Sequence, residues 1–259
     1  MTRARLLLCP LLLLALAAPA ADTVPTDVLA RTRNQVGNFL KVFSEVRCTE
    51  VVAQAKLTKK GKVEHQERST FDYLVIAQDV GSDLSLLESR LEQHAAAAKK
   101  NVPMLVTNGF ATLLLVFHPS YENSFQFSPP EADSFDGQAV VKIGFRHIRN
   151  KPSTMELVLR GREYPLDLTG NAWVDPASGS ILRIEAELAQ SMDDIGLRVL
   201  RTDVQYAPVS LRGVDATLRL PSTATVEVET ARQHWRNVHR FSGYQHFDVS
   251  VEETVKAQK

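Results

Sequence analysis

Cysteine is scarce: the 259 residues hold two, Cys9 and Cys48. Cys9 lies in an N-terminal leader described below, so the mature chain keeps one thiol and an intramolecular disulfide is excluded, even in an oxidising compartment. Stability must then come from an apolar core, and the roughly 240 residues that remain are enough to build one. Cys48 is expected to be a small buried apolar side chain. An excess of either charge is missing as well, with 30 Lys and Arg against 30 Asp and Glu. That balance excludes a general nucleic-acid binder, which carries a basic surface. Long hydrophobic runs are absent beyond the leader; Gly109 to Phe117 is about half of what a bilayer span needs, so no transmembrane segment is expected.

Signatures of chemistry are also lacking. The seven histidines form neither a His-x-x-x-His nor a His-Glu-x-x-His spacing, and no cysteine pair accompanies them. His234, His239 and His246 are near one another in sequence and could meet only if they fell on paired strands. There is no Gly-x-Ser-x-Gly elbow, no Ser-x-x-Lys pair and no Gly-rich phosphate loop. Asp193 and Asp194 are adjacent, which suits a turn better than an acid/base pair that must face a substrate across a gap. No catalytic residue, metal or cofactor is expected, and the chain reads as a non-enzyme.

What is present begins with a secretory leader. Arg3 and Arg5 precede an apolar run, Leu6 to Ala17, and Ala18-Pro19-Ala20 supplies small residues for cleavage near Ala20. The run continues past Cys9, which argues against lipidation there. The expectation is a leader over 1–20, one domain over 21–259, and a periplasmic or secreted protein. From Thr26 to Val46 the apolar residues Val28, Leu29, Val36, Phe39, Leu40 and Phe43 recur at helical spacing, with Thr26 or Asp27 as cap. The period then becomes two. Val52–Thr58 and Val63–Ala77 read as a hairpin turning at Gly61. Ser85 and Glu88 match a capping box, which predicts a helix over Leu86–Lys99. Asn108-Gly109 opens a short segment that is apolar on every side, so it must be covered on every side.

Beyond Tyr121 short strands follow one another, separated by Gly, Pro, Asp and Asn. The separators include "RNKPS", "LTGN", "DPASG", "YAPVSLRG" and "LPS". No βαβ alternation occurs, so pairing should be antiparallel. In "ILRIEAEL" the residues Leu182, Ile184, Ala186 and Leu188 alternate with Arg183, Glu185 and Glu187, which makes one face dry and one wet. "VDPASGS", Val174–Ser180, carries turn chemistry and not a site: Asp accepts local backbone bonds, Pro sets φ and Gly takes the left-handed position. The fold class is α+β: a large curved antiparallel sheet, an incomplete β-barrel, wrapped over a few helices.

A leader, an amphipathic first helix, a long hairpin and a strand run around a short apolar segment resemble the LolA/LolB-like periplasmic half-barrel proteins and the related N-terminal domain of RseB. The stretches "GNAWVDPASGSILRIE" and "RFSGYQHFDVS" are similar to those of exported proteins of acidobacterial type, a likeness that implies no activity. The half-barrel resemblance implies a concave face that holds an acyl chain, a lipid or a lipoprotein segment. Candidates for its lining are Phe110, Leu114 and Phe117 with Trp173, Leu182 and Ile184. The alternative is an envelope sensor or interaction protein without a small-molecule ligand, meeting an envelope partner through "ARQHWRNVHRFSGYQHF". There Arg232, Arg236 and Arg240 beside Trp235 would form an anion or partner patch. The same arginines could simply pair with Glu227, Glu229, Glu252 and Glu253.

Overall fold

A computed structural model describes residues 27–80, 83–93, 104–107, 109–159, 161–213 and 217–247. The proposed leader and the second half of the predicted helix over Leu86–Lys99 lie outside them. Helix α1 (Val28–Phe43) buries Val28, Thr32, Val36, Phe39, Leu40 and Phe43, the stripe that its periodicity marked. Asp27 precedes it without a side-chain cap and pairs instead with Arg31 at 2.9 Å.

Thirteen strands follow among the described residues. They are β1 (Val46–Leu57), β2 (Val63–Val80), β3 (Asp83–Glu92), β4 (Phe125–Phe127), β5 (Glu131–Phe135), β6 (Gln138–His147) and β7 (Glu156–Leu159). Then come β8 (Arg162–Pro165), β9 (Leu168–Val174), β10 (Ile181–Leu188), β11 (Leu197–Ser210), β12 (Thr217–Thr230) and β13 (His234–His246). Eleven form one open antiparallel sheet in the order β3-β2-β1-β13-β12-β11-β10-β9-β6-β4, with β5 also on β6, while β7 and β8 make a separate hairpin. The first and last strands of the sheet-forming run are neighbours: β1 pairs β13 from Val46↔His246 to Leu57↔His234. The pattern is the incomplete barrel expected.

Three local expectations are corrected. The segment with the capping-box pattern is strand β3, paired to β2 from Phe71↔Glu92 to Val80↔Asp83. Glu88 does not cap; its carboxylate accepts from the Tyr73 hydroxyl and the Gly109 N–H, both at 2.8 Å. Pairing along the long β2 outweighs a local helix signal. Secondly, "LPS" does not interrupt a strand. β12 runs through Pro221, and the missing N–H is absorbed at a register shift between Gln205 and Tyr206 of β11, a bulge of the kind that accommodates proline. "YAPVSLRG" likewise lies mostly within β11.

Thirdly, Leu182 does not share a face with Ile184. The register slips between Ile181 and Arg183, and a one-residue slip reverses the side-chain faces beyond it. Ile181 and Ile184 join the main core, whereas Leu182 packs with Trp173 and Val140 on the opposite face.

The main core lies between the sheet, α1 and the central segment Phe110–Phe117, a 3-10 helix with all eight residues buried. Residues Val174–Ser180 form the expected turn: Asp175 accepts from the Ala177 N–H at 2.9 Å and the Ser178 hydroxyl at 2.8 Å. Gly179 has φ +77°, and a Cβ there would stand 2.7 Å from the Arg31 carbonyl carbon of α1. Only glycine meets both demands.

Candidate functional site

The sheet presents two faces of opposite character, and each forms a candidate site. On the inner face the central segment fills the hollow. Phe117 packs on Phe127 and Phe145 with ring centroids 5.0 and 6.0 Å apart. The Tyr206 hydroxyl donates to the Ala111 carbonyl at 3.3 Å. A crevice beside Leu114, lined also by Gln35, Val36, Phe39, Ser180, Ile181 and Arg219, holds about 20 Å³, room for one water and not for an acyl chain.

The central segment is anchored at its entrance by a buried polar clasp that sequence reading missed. Glu50 of β1 is fully buried. Arg90 of β3 donates to it in a fork, Nε to Oε2 at 2.6 Å and Nη2 to Oε1 at 2.7 Å. His239 of β13 sits 2.7 Å from Glu50 Oε1 through Nδ1 and 2.7 Å from Thr107 Oγ1 through Nε2. A neutral imidazole with its proton on Nδ1 satisfies both contacts, donating to the carboxylate and accepting from the hydroxyl.

Asn237 then donates to Thr107 Oγ1 at 3.0 Å and to the Leu105 carbonyl at 2.7 Å, and Gln54 donates to that same carbonyl at 2.8 Å. Arg90 Nη1 takes the Thr107 carbonyl at 2.9 Å, and Glu88 holds the Gly109 N–H. Strands β1, β3 and β13 thus hold a non-sheet segment just before it enters the core. Glu50, Arg90 and His239 come together only through the strand order β3-β2-β1-β13, which no local pattern announces.

Burial works against the Arg90 charge, but Glu50 and Glu88 outweigh it and hold the guanidinium more firmly protonated than an ordinary arginine. Burial, with Glu88 beside it, pushes the Tyr73 hydroxyl far above the usual phenol range. Burial also raises the Cys48 thiol from the ordinary 9.0 to about 12, against a hydrogen bond from Tyr244 that lowers it. Cys48 is buried and free, as its isolation suggested.

The outer face carries a polar furrow of about 790 Å³. Strand register sets its walls. One row runs Gly144, Asn171, Glu185, Asp203, Thr225 across β6, β9, β10, β11 and β12, and a second runs Arg146, Thr169, Glu187, Arg201, Glu227. The backbone of Phe145, Gly170, Ala186 and Thr202 lies between the rows as the floor, and residues 126–128 close one end. Gly170 has no room for a side chain: a Cβ would meet Glu185 O at 2.0 Å.

Each carboxylate in the furrow has a fixed partner. Arg183 binds Asp203 through Nε at 2.6 Å and Glu185 at 3.0 Å, Arg201 binds Glu187 at 3.1 Å, and Glu227 takes His234 at 2.6 Å. Arg146, Gln126 and Thr225 have no side-chain hydrogen bond or ion pair among the described residues.

The residues singled out by sequence divide between the faces. Phe110, Leu114, Phe117 and Ile184 are together in the main core. Trp173 and Leu182 are corrected: they lie on the outer face, because Ala172 and Val174 take the inward positions of β9. Trp173 Nε1 donates to Asp133 at 2.9 Å, and the Arg183 guanidinium lies 4.5 Å over its ring. The Ser134 N–H, and after it this indole, hold the Asp133 carboxyl below the usual range.

Arg236 and Arg240 are exposed on the wet face of β13, and Arg232 is exposed in the turn before it. Arg236 reaches Glu227 at 3.6 Å, as in the pairing alternative. Trp235 and His239 point into the sheet's inner side. The three C-terminal histidines share one strand and do not meet; His234 goes to Glu227 and His246 to Glu45 at 3.3 Å. Among the described residues no group of three or more His, Cys, Asp and Glu could hold a metal, and no helix is long and apolar enough to cross a membrane.

No protein-family model matches the chain, and no curated protein matches it. Solved structures do. A DUF1329 family protein from Desulfovibrio piger is similar at 11% identity, with 88% of this chain and 96% of that one covered and a TM-score of 0.45. A LolA superfamily protein from Nitrosomonas europaea has 11% identity, coverage of 86% and 94%, and a TM-score of 0.42. An outer membrane lipoprotein-sorting protein domain from Vibrio parahaemolyticus has 11% identity, coverage of 87% and 94%, and a TM-score of 0.43. At this distance these neighbours say nothing of what this chain binds.

Proposed function

We propose that the chain is an exported, non-enzymatic carrier-type protein of one domain. It holds an acyl chain, of a free lipid or of a lipoprotein, in the inner face of the half-barrel, at the place that Phe110–Phe117 fills in this conformation. The observation that supports this reading is the character of that segment. It is apolar except for Thr112, where its 3-10 form is broken. Such helices have poorer hydrogen-bond geometry than an α-helix. Its side chains fill the hollow, while the polar anchors on Leu105, Thr107 and Gly109 sit at its entrance. A segment held by polar anchors at its entrance and by apolar packing along its length can leave the hollow and be replaced by an acyl chain of similar section. Ile184 then lines the emptied space, and Phe110, Leu114 and Phe117 are the groups exchanged for ligand.

Titration of mature protein with dansyl-undecanoic acid tests this. The expected result is saturable fluorescence enhancement that strengthens several-fold in Glu88→Gln, which weakens the hold on Gly109. No enhancement in either protein, together with no lipid in solvent extracts of native material, overturns the proposal.

A further inference from the structure

We infer that the outer furrow is a second binding site, independent of the inner face, and that its ligand is a linear neutral glycan. Its size comes first. The furrow crosses six strands, β4 to β12 in sheet order. Strands in a sheet stand ~4.8 Å apart, so its length is roughly 24 Å. At about 790 Å³ it can take several sugar units laid end to end. Each strand crossed presents fresh side-chain donors and acceptors at a spacing close to the length of one pyranose ring.

The lining supplies the class of ligand. The carboxylates are all engaged: Asp203 and Glu185 share Arg183, Glu187 takes Arg201, and Glu227 takes His234 and Arg236. A polycation would have to break these pairs to gain its own, and a polyanion would face the four carboxylates with Arg146 as the one unpaired cation among the described lining residues. A polyhydroxyl chain need not break them, because each ionised carboxylate oxygen accepts more than one hydrogen bond. The pairs also lock the side chains on rigid strands, which lowers the entropy lost on binding.

Unspent capacity is local: the Arg146 guanidinium, the Gln126 amide and the Thr225 hydroxyl line the same furrow without partners among the described residues. An extended peptide is disfavoured, since it adds to a sheet through an open strand edge, and every strand crossed between the furrow's ends is already paired on both sides.

Calorimetric titration of the mature protein with maltohexaose, cellohexaose and chitohexaose provides the test. At least one hexasaccharide is expected to bind with an affinity unchanged by added salt. Arg146→Ala and Glu185→Ala, both on the wet face, should weaken it tenfold or more, with Arg240→Ala, outside the furrow, as the unaffected control and circular dichroism confirming the folds. Absence of binding by all three sugars overturns the proposal. So does binding indifferent to Arg146→Ala and Glu185→Ala, or binding only of heparin or polylysine that salt abolishes. None of these results bears on acyl-chain binding at the inner face.

Discussion

Two Arg–Glu pairs on the same sheet have opposite meanings: Arg90 grips Glu50 with two bonds of 2.6 and 2.7 Å, and Arg201 touches Glu187 through one of 3.1 Å. Arg90 and Glu50 meet on the inner face with side chains 18% and 0% exposed, and Arg201 and Glu187 meet on the outer face at 63% and 54%. Glu50 is cut off from water and Arg90 nearly so, and each charge depends on the other, with His239 on Glu50 and Thr107 and Glu88 beside Arg90. The outer pair keeps its hydration whether or not it forms. Charge on the inner face therefore fixes where a chain segment sits, whereas charge on the outer face shapes a surface and adds little to stability.

The comparison breaks first at its inner half. Arg90→Met should cost about 3–5 kcal/mol, because it leaves the Glu50 carboxylate buried without its guanidinium. Urea denaturation reads this. The double variant Arg90→Met/Glu50→Leu should recover much of the loss, and failure to recover would mean that the pair itself stabilises the fold.

A smaller effect concerns Cys48, near Glu50 on β1. Its thiol pKa is raised in the folded state from 9.0 to about 12. A raised folded-state pKa adds stability below the unfolded value, and that stability is lost as pH rises through the folded value. The difference in stability between wild type and Cys48→Ala should thus shift against the wild type between pH 9 and about 12. The native thiol should be inert to Ellman's reagent at neutral pH and react once urea unfolds the chain. The smallest effect belongs to the outer face: Arg201→Gln should change stability by about 0–1 kcal/mol, and less in high salt.

Legibility in the sequence followed how local each signal is. The α1 stripe, the hairpin at Gly61 and the Val174–Ser180 turn depend on neighbours in sequence, and they stand as read. β3 carries a helix signal in Ser85 and Glu88 yet pairs as a strand, because the edge of β2, which no local rule announces, supplies its partner. Leu182 lies on the face opposite to Ile184 because a one-residue slip at Ile181 is invisible in an alternating pattern, and Trp173 points outward because Ala172 and Val174 take the inward positions of β9. Glu50, Arg90 and His239 could not be joined on paper: they are 40 and 149 positions apart in turn, counted from Glu50 to Arg90 and from Arg90 to His239.

By itself the sequence determined the antiparallel class, the dry and wet alternation of most strands, the lack of any disulfide framework and the need to cover Phe110–Phe117. These follow from composition and period, which act residue by residue. Tertiary structure alone decided that β1 lies against β13, that three distant polar residues close on Thr107, and that two rows of paired charges enclose a furrow. Those outcomes depend on strand order and register across the whole chain, and no local preference encodes either.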